Sequence, residues 1–206
     1  MTPYAYPKTL HVRRLNPGPF KDYRTYKPYL RDEFARQCVY CRRPDGPSGQ
    51  GGFGADHYRP KHSFPQLETT YSNLFYCCNA CNSWKGKYWP SLEDEQQGRF
   101  VPNPCAHKMF EHLRYNVEKV EGRTVAGKHT VTLLHLDDPD EQKYRAALIV
   151  AVEELEKNCG DYKKAIADLM ALKSTVDPST SAAMTNEIMN LTTRLKSIEA
   201  ALATFR

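Results

Sequence analysis

Two pairs of cysteines stand at metal-ligand spacing, Cys38 with Cys41 and Cys78 with Cys81. A two-residue gap lets both sulfurs of a pair converge on one ion, and two such pairs supply the thiolates of a closed tetrahedral zinc site. Cys78, and not its neighbour Cys77, is the expected ligand, because only Cys78 has that gap to Cys81. A closed shell has no open coordination position, so this zinc organises the fold and does no chemistry. Between the pairs lie Asp56, His57 and Asn73, and directly after them come Asn82 and Lys85. Imidazole titrates near neutral pH, which makes His57 the candidate general base. The Asp, His and Asn interleaved with the thiols can hold a second, open metal ion beside that base. An activated water and a cation to neutralise growing phosphate charge are what phosphodiester hydrolysis requires. Cys105 and Cys159 read as small core hydrophobes, and His107, near Cys105, lacks a partner pair for a second zinc.

Local elements must bring these residues together. Residues 29–37 read as a helix with Leu30 and Phe34 on one face, delivering the chain to Cys38. The glycine-rich stretch 46–54 is expected to be a flexible hairpin connection; it is no P-loop, because no Gly-Lys-Ser/Thr follows. Residues 55–58 form an expected short strand that Pro60 and Pro65 keep from extending. Residues 79–88 read as a helix ended by Pro90. Asp56 and His57 point to opposite faces of an ideal strand, so a bulge or turn is expected to bring both to one site. Cys78 and Cys81 are three apart and can both face the zinc; Asn82 and Lys85 are three apart on the adjacent face. The zinc thus anchors the helix that presents Asn82. His62 reads as structural or substrate-contacting, and Trp84 and Trp89 as packing residues.

The run from Cys38-Val-Tyr-Cys41 through Ala55-Asp56-His57-Tyr58-Arg59-Pro60-Lys61 to Asn73 and Cys78-Asn-Ala-Cys81-Asn82-Ser-Trp-Lys85-Gly86 resembles a zinc-containing HNH endonuclease. The longer chain, with its helical tail, is similar to bacterial anti-phage HNH effectors of the Septu PtuB type. The resemblance implies an α+β fold with a ββα-metal core. It implies that Asp56 binds the catalytic metal. Asn73 stands at the middle letter, where it is expected to hydrogen-bond the backbone around His57 and fix the ring. Asn82 takes the third letter, where many relatives have His; an amide oxygen suits Mg²⁺ (or Mn²⁺) better than zinc. Arg59, Lys61 and Lys85 are the expected phosphate contacts. The narrower likeness implies an ATPase partner of a PtuA-like type.

Charge agrees with a polyanionic partner. Residues 1–104 carry 15 Lys/Arg against 9 Asp/Glu, and residues 105–206 carry 14 against 15. DNA is favoured over RNA as the substrate. A ribonuclease acting on tRNA with the same residues, and a non-enzymatic zinc-stabilised binding module, are the rival readings. No signal-like apolar region occurs in residues 1–8 and no apolar run approaches membrane-spanning length, so a reduced, cytoplasmic protein is expected.

The remaining chain divides, by expectation, into an arm plus nuclease core at 1–104, a small β connection at 105–136 and a helical region at 137–206. Residues 10–15 read as a short strand. Residues 117–120 and 124–125 flank Glu121-Gly122 as a hairpin, and residues 130–136 read as another strand. Three helices follow: from a cap at Asp137 or Asp138 to about residue 158, then 161–172, then 181–205, with Cys159-Gly160 and Asp177-Pro178 as breaks. The last carries a heptad stripe of Met184, Ile188, Leu191, Leu195, Ile198, Leu202 and Phe205, suited to an intramolecular bundle, to self-association as a homo-oligomer, or to partner docking.

Overall fold

A computed structural model describes residues 4–46 and 52–205, so part of the expected glycine-rich loop, residues 47–51, lies outside the described residues. Two short antiparallel strands and a helix form the centre: β1 (Phe53–His57), β2 (Leu74–Cys78) and α2 (Asn79–Lys85), preceded by α1 (Lys27–Glu33). The β1–β2 register runs unbroken from Phe53 opposite Cys78 to His57 opposite Leu74. Every residue of β2 is buried, as its Leu-Phe-Tyr-Cys-Cys composition dictates for a strand covered on both faces. The turn holding Cys38 and Cys41 docks on this strand, with the Val39 amide donating to the Tyr76 carbonyl at 2.9 Å.

Helix α1 covers β2 with Leu30 and Phe34, both buried as expected. It ends earlier than the sequence suggests, because Ala35 and Arg36 turn into the left-handed region, at φ 51° and 59°. Helix α2 likewise stops at Lys85, where Gly86 takes φ 51°, a conformation that favours glycine.

Residues 10–15 form no strand. Their amides are claimed by a buried carboxylate: the Arg14 and Leu15 N–H groups each donate to Glu33 at 2.9 Å. The Arg13 guanidinium lies over Phe34, Tyr71 and Phe75 and donates to the Leu74 carbonyl at 2.7 Å. The arm is therefore bound by side chains instead of by a ladder.

Beyond the centre come α3 (Leu92–Gln96), α4 (Met109–His112), β3 (Leu113–Asn116), β4 (Lys119–Gly122) and α5 (Val125–Leu133). The hairpin turns at Val117 and Glu118, earlier than expected, because Leu113 and Tyr115 pair with Gly122 and Val120 and bury that face. The expected strand 130–136 is largely helix α5. Thr124 caps it by accepting from the Gly127 amide at 3.0 Å, and the Thr130 hydroxyl donates to the Ala126 carbonyl, so the β-branched residues are accommodated by local bonds. Gly127 permits the crossing: a Cβ there would lie 1.9 Å from the His112 carbonyl oxygen.

Contacts divide the described chain into one unit of Tyr4–Ala146 and another from Ala147 onward. Residues 105–136 are no separate connection, since Met109, Leu113, Val120 and Val131 belong to the core that contains the cysteines. Helix α6 (Pro139–Leu172) is capped by Asp138, whose carboxylate accepts from the Asp140 and Glu141 amides. It runs through Cys159-Gly160 without a break, so the described residues of the tail form two long helices where three were expected. A helical glycine costs only about 1 kcal/mol relative to alanine, and burial of Cys159 against Val152, Leu155 and Leu202 offsets it. Helix α7 (Pro178–Ala203) lays Leu195, Ile198 and Leu202 of the stripe on that cluster, and Phe205, just past its end, packs there too.

Candidate active site

The sulfurs of Cys38, Cys41, Cys78 and Cys81 all lie within 4.8 Å of one another, and all four residues are buried. Cys41 and Cys78 are 3.6 Å apart, close to the ~3.8 Å edge of a tetrahedron built on zinc–sulfur bonds of about 2.3 Å. The donor set therefore fits a soft tetrahedral metal. Cys77 approaches Cys38 at 3.9 Å, but its thiol donates to the Cys78 carbonyl and it is no member of the set. Cys78 also caps α2, its sulfur accepting from the Cys81 amide at 3.5 Å. Two aromatic side chains steady the first pair: the Tyr6 hydroxyl donates to the Tyr40 carbonyl at 2.8 Å and that of Tyr115 to the Cys41 carbonyl. Among the described residues, Cys105 and His107 join no metal-ligating group.

A cleft of about 510 Å³ opens beside this cluster, at the junction of β1 and α2. Asp56, His57, Lys61 and Asn82 all line it, so four expected site residues meet there. No bulge is needed to bring Asp56 and His57 together: His57 is the last residue of β1, and the cleft wraps around the strand end.

His57 is half-buried. Its Nε2 lies 2.9 Å from the Glu68 carbonyl. A carbonyl oxygen only accepts, so Nε2 carries the proton and Nδ1 keeps the lone pair of the neutral ring. The Tyr23 ring meets the imidazole edge-on at 4.6 Å. Burial pushes the imidazole below its ordinary pKa, against the opposing pull of the Glu68 carbonyl and the Asp56 charge.

Asn73 is buried and clamps the chain leaving His57. Its Oδ1 accepts from the Arg59 amide at 2.9 Å, and its Nδ2 donates to the carbonyls of Arg59 and Leu67. Its own carbonyl accepts from the Tyr58 amide. These are the bonds to the backbone around His57 that its place in the sequence suggests.

Asp56 is 2% exposed and doubly bonded: the Tyr40 hydroxyl donates to Oδ2 at 2.6 Å and the Lys85 ammonium to Oδ1 at 3.0 Å. Burial and the Asp56 charge push the Tyr40 phenol well above its ordinary pKa. Each carboxylate oxygen keeps a lone pair, so Asp56 still fits a cation beside the Asn82 amide.

Lys85 cannot contact substrate. It is 2% exposed and donates to Asp56 and, at 2.7 Å, to the His57 carbonyl. Arg59 also leaves the cleft: it is exposed and its guanidinium lies over Phe64 and Trp89. Lys61 stays at the rim, paired with Glu68 at 2.9 Å. Lys87 and His62 line the cleft as well. Sequence reasoning missed Tyr23, Tyr40, Glu68 and Lys87. Tyr40 alone carried a signal, being inside the first cysteine pair.

The HNH endonuclease family model matches residues 38–87, the segment that holds the four thiolates, Asp56, His57, Asn73 and Asn82. The Septu protein PtuB of Bacillus thuringiensis is 30% identical over 138 residues, which is 64% of this chain and 51% of that relative. The chain thus spans about half the length of this curated relative. No solved structure matches.

Proposed function

We propose that this protein is a metal-dependent HNH endonuclease that hydrolyses DNA phosphodiesters in a bacterial anti-phage defence system. The observation that carries the reading is the meeting of His57, Asp56 and Asn82 in one cleft beside four convergent thiolates. The thiolates hold a structural zinc. A Mg²⁺ or Mn²⁺ held by Asp56 and Asn82 supplies charge neutralisation at the phosphate and the leaving oxygen when bound.

The chain's own residues do the rest. His57 Nδ1 takes the proton as a water oxygen forms its bond to phosphorus and the ester P–O bond breaks. The Glu68 carbonyl holds Nε2–H, fixing the tautomer. Asn73 holds the backbone on which the ring hangs. Lys61 and Lys87 offer positive charge to the nucleic-acid backbone at the rim.

The test is cleavage of plasmid, single-stranded DNA and tRNA by the wild type and His57→Ala, with Mg²⁺, Mn²⁺ or EDTA. DNA cleavage that needs both His57 and the divalent ion supports the reading. Cleavage of tRNA alone without a divalent ion favours a ribonuclease, and DNA binding unaffected by His57→Ala with no cleavage favours a binding module.

The likeness to Septu PtuB supports a partner, which we take to be an ATPase of a PtuA-like type, docked on the helical unit. Removing residues 178–206 then abolishes the complex while the remaining unit keeps its zinc; a complex that persists counts against this docking.

A further inference from the structure

We infer that Lys85 is a resident counter-ion that keeps affinity for the catalytic divalent cation low until a nucleic-acid phosphate enters the cleft. The inference rests on Asp56 and Asn82 as the cation's ligands.

Divalent-cation affinity follows the number of anionic oxygens a site offers. Asn82 is a neutral amide. Asp56 brings one negative charge, but the Lys85 ammonium sits 3.0 Å from its Oδ1. Lys85 is buried and held by a second acceptor, the His57 carbonyl at 2.7 Å, so it does not swing out to make room. The other carboxylate lining the cleft, Glu68, is paired with Lys61. Lys87 adds further positive charge at the rim. The cleft and the layer behind it thus hold two carboxylates against three lysines.

A divalent ion approaching the free protein meets a compensated carboxylate and a like-charged neighbour. A phosphodiester is attracted by the same charges and brings the missing anionic oxygens. Cation and nucleic acid therefore bind with positive coupling, and by linkage each raises the affinity of the other by the same factor. The arrangement also guards specificity, because the ion is recruited where a phosphate is already in place.

Lys85 acts through Asp56 and is a positioning residue. The experiment uses full-length, zinc-loaded His57→Ala protein, in which cleavage is blocked. Mn²⁺ binding is followed by electron paramagnetic resonance of the free ion, first with Mn²⁺ alone and then with a short DNA duplex. The same duplex with His57→Ala/Asp56→Asn protein gives the background of Mn²⁺ held by DNA itself.

The expected result is Mn²⁺ affinity at least about tenfold higher with the duplex, and duplex affinity raised by the same factor with Mn²⁺. Adding Lys85→Met raises the Mn²⁺ affinity of the free protein by about tenfold or more and shrinks the coupling. Equal, tight Mn²⁺ binding with and without the duplex, lost on Asp56→Asn, overturns the counter-ion role and leaves the ligand assignment standing. Mn²⁺ binding that ignores Asp56→Asn removes the ligand assignment, and the counter-ion role with it. If Lys85→Met does not fold, Lys85→Gln, which keeps a donor but removes the charge, replaces it in the same titration, and unchanged Mn²⁺ affinity of the free protein overturns the counter-ion role.

Discussion

The thiolate cluster and the cleft share α2 yet are built in opposite ways. At the start of the helix, Cys78 and Cys81 join two other sulfurs in a buried set whose residues are each at most 5% exposed. One residue further on, Asn82 faces an open cleft whose proposed base, His57, is only half-buried. The first arrangement gains rigidity from closure; the second leaves the room that the proposed chemistry needs for water and phosphate. Between them lies a buried layer, Tyr40 and Lys85 on Asp56, that transmits position from one to the other. The contrast teaches that precision in the cleft is borrowed from the cluster: a seven-residue helix is too short to hold itself.

The sharpest way to break the comparison is to disrupt the closed set. Cys81→Ser, or zinc removal by a strong chelator, is expected to abolish cooperative unfolding of the unit Tyr4–Ala146, since structural zinc contributes about 10–16 kcal/mol in small zinc domains. Circular dichroism melts check this; an unchanged melt would make the cluster dispensable. His57→Ala should instead lower DNA cleavage by about 10²–10⁴-fold while stability moves by no more than about 1 kcal/mol, a separation read by nicking assays and denaturant titration.

Asn73→Ala stands between these extremes. It removes three part-buried hydrogen bonds, so a loss of about 1–3 kcal/mol is expected, together with about a 10–100-fold fall in cleavage as the His57 backbone loosens. The smallest effect is in the pH profile. Because burial lowers the pKa of His57 from its ordinary 6.5, the base form prevails at neutral pH and the acid limb of kcat/KM falls below 6.5. The same depression means that stability from the neutral ring is present above 6.5 and lost as pH falls through the lowered value. Tyr23→Ala opens the ring to water and should move the limb back toward 6.5.

The cluster was fully legible in the sequence, because thiolate spacing is itself the geometry of the ligand set. That Asp56, His57 and Asn82 come to one cleft was legible from their places between and directly after the cysteine pairs; the chemistry assigned to them is the proposal. Lys85 was misread because helical spacing tells which face a side chain takes but not whether that face is solvent or core. Its neighbour across the chain, Asp56, turned it inward. Tyr23 and Glu68 reach His57 through an arm and a loop that have no periodicity, so nothing local announces them. In the tail, Gly160 read as a break because a helical glycine is unfavourable in isolation; the burial of Cys159 and Leu202 outweighs it. The strand expected at 130–136 failed for the converse reason, since the Thr124 cap and the bonds of Thr130 satisfy helix where β-branched composition favours strand.

The most direct test of the account is anomalous X-ray scattering from crystals of His57→Ala protein with a DNA duplex and Mn²⁺, recorded at the zinc and manganese edges. One zinc peak equidistant from the sulfurs of Cys38, Cys41, Cys78 and Cys81 is expected, and one manganese peak in contact with both Asp56 and Asn82. A manganese peak elsewhere, or a zinc peak that leaves out one of the four sulfurs, would contradict it.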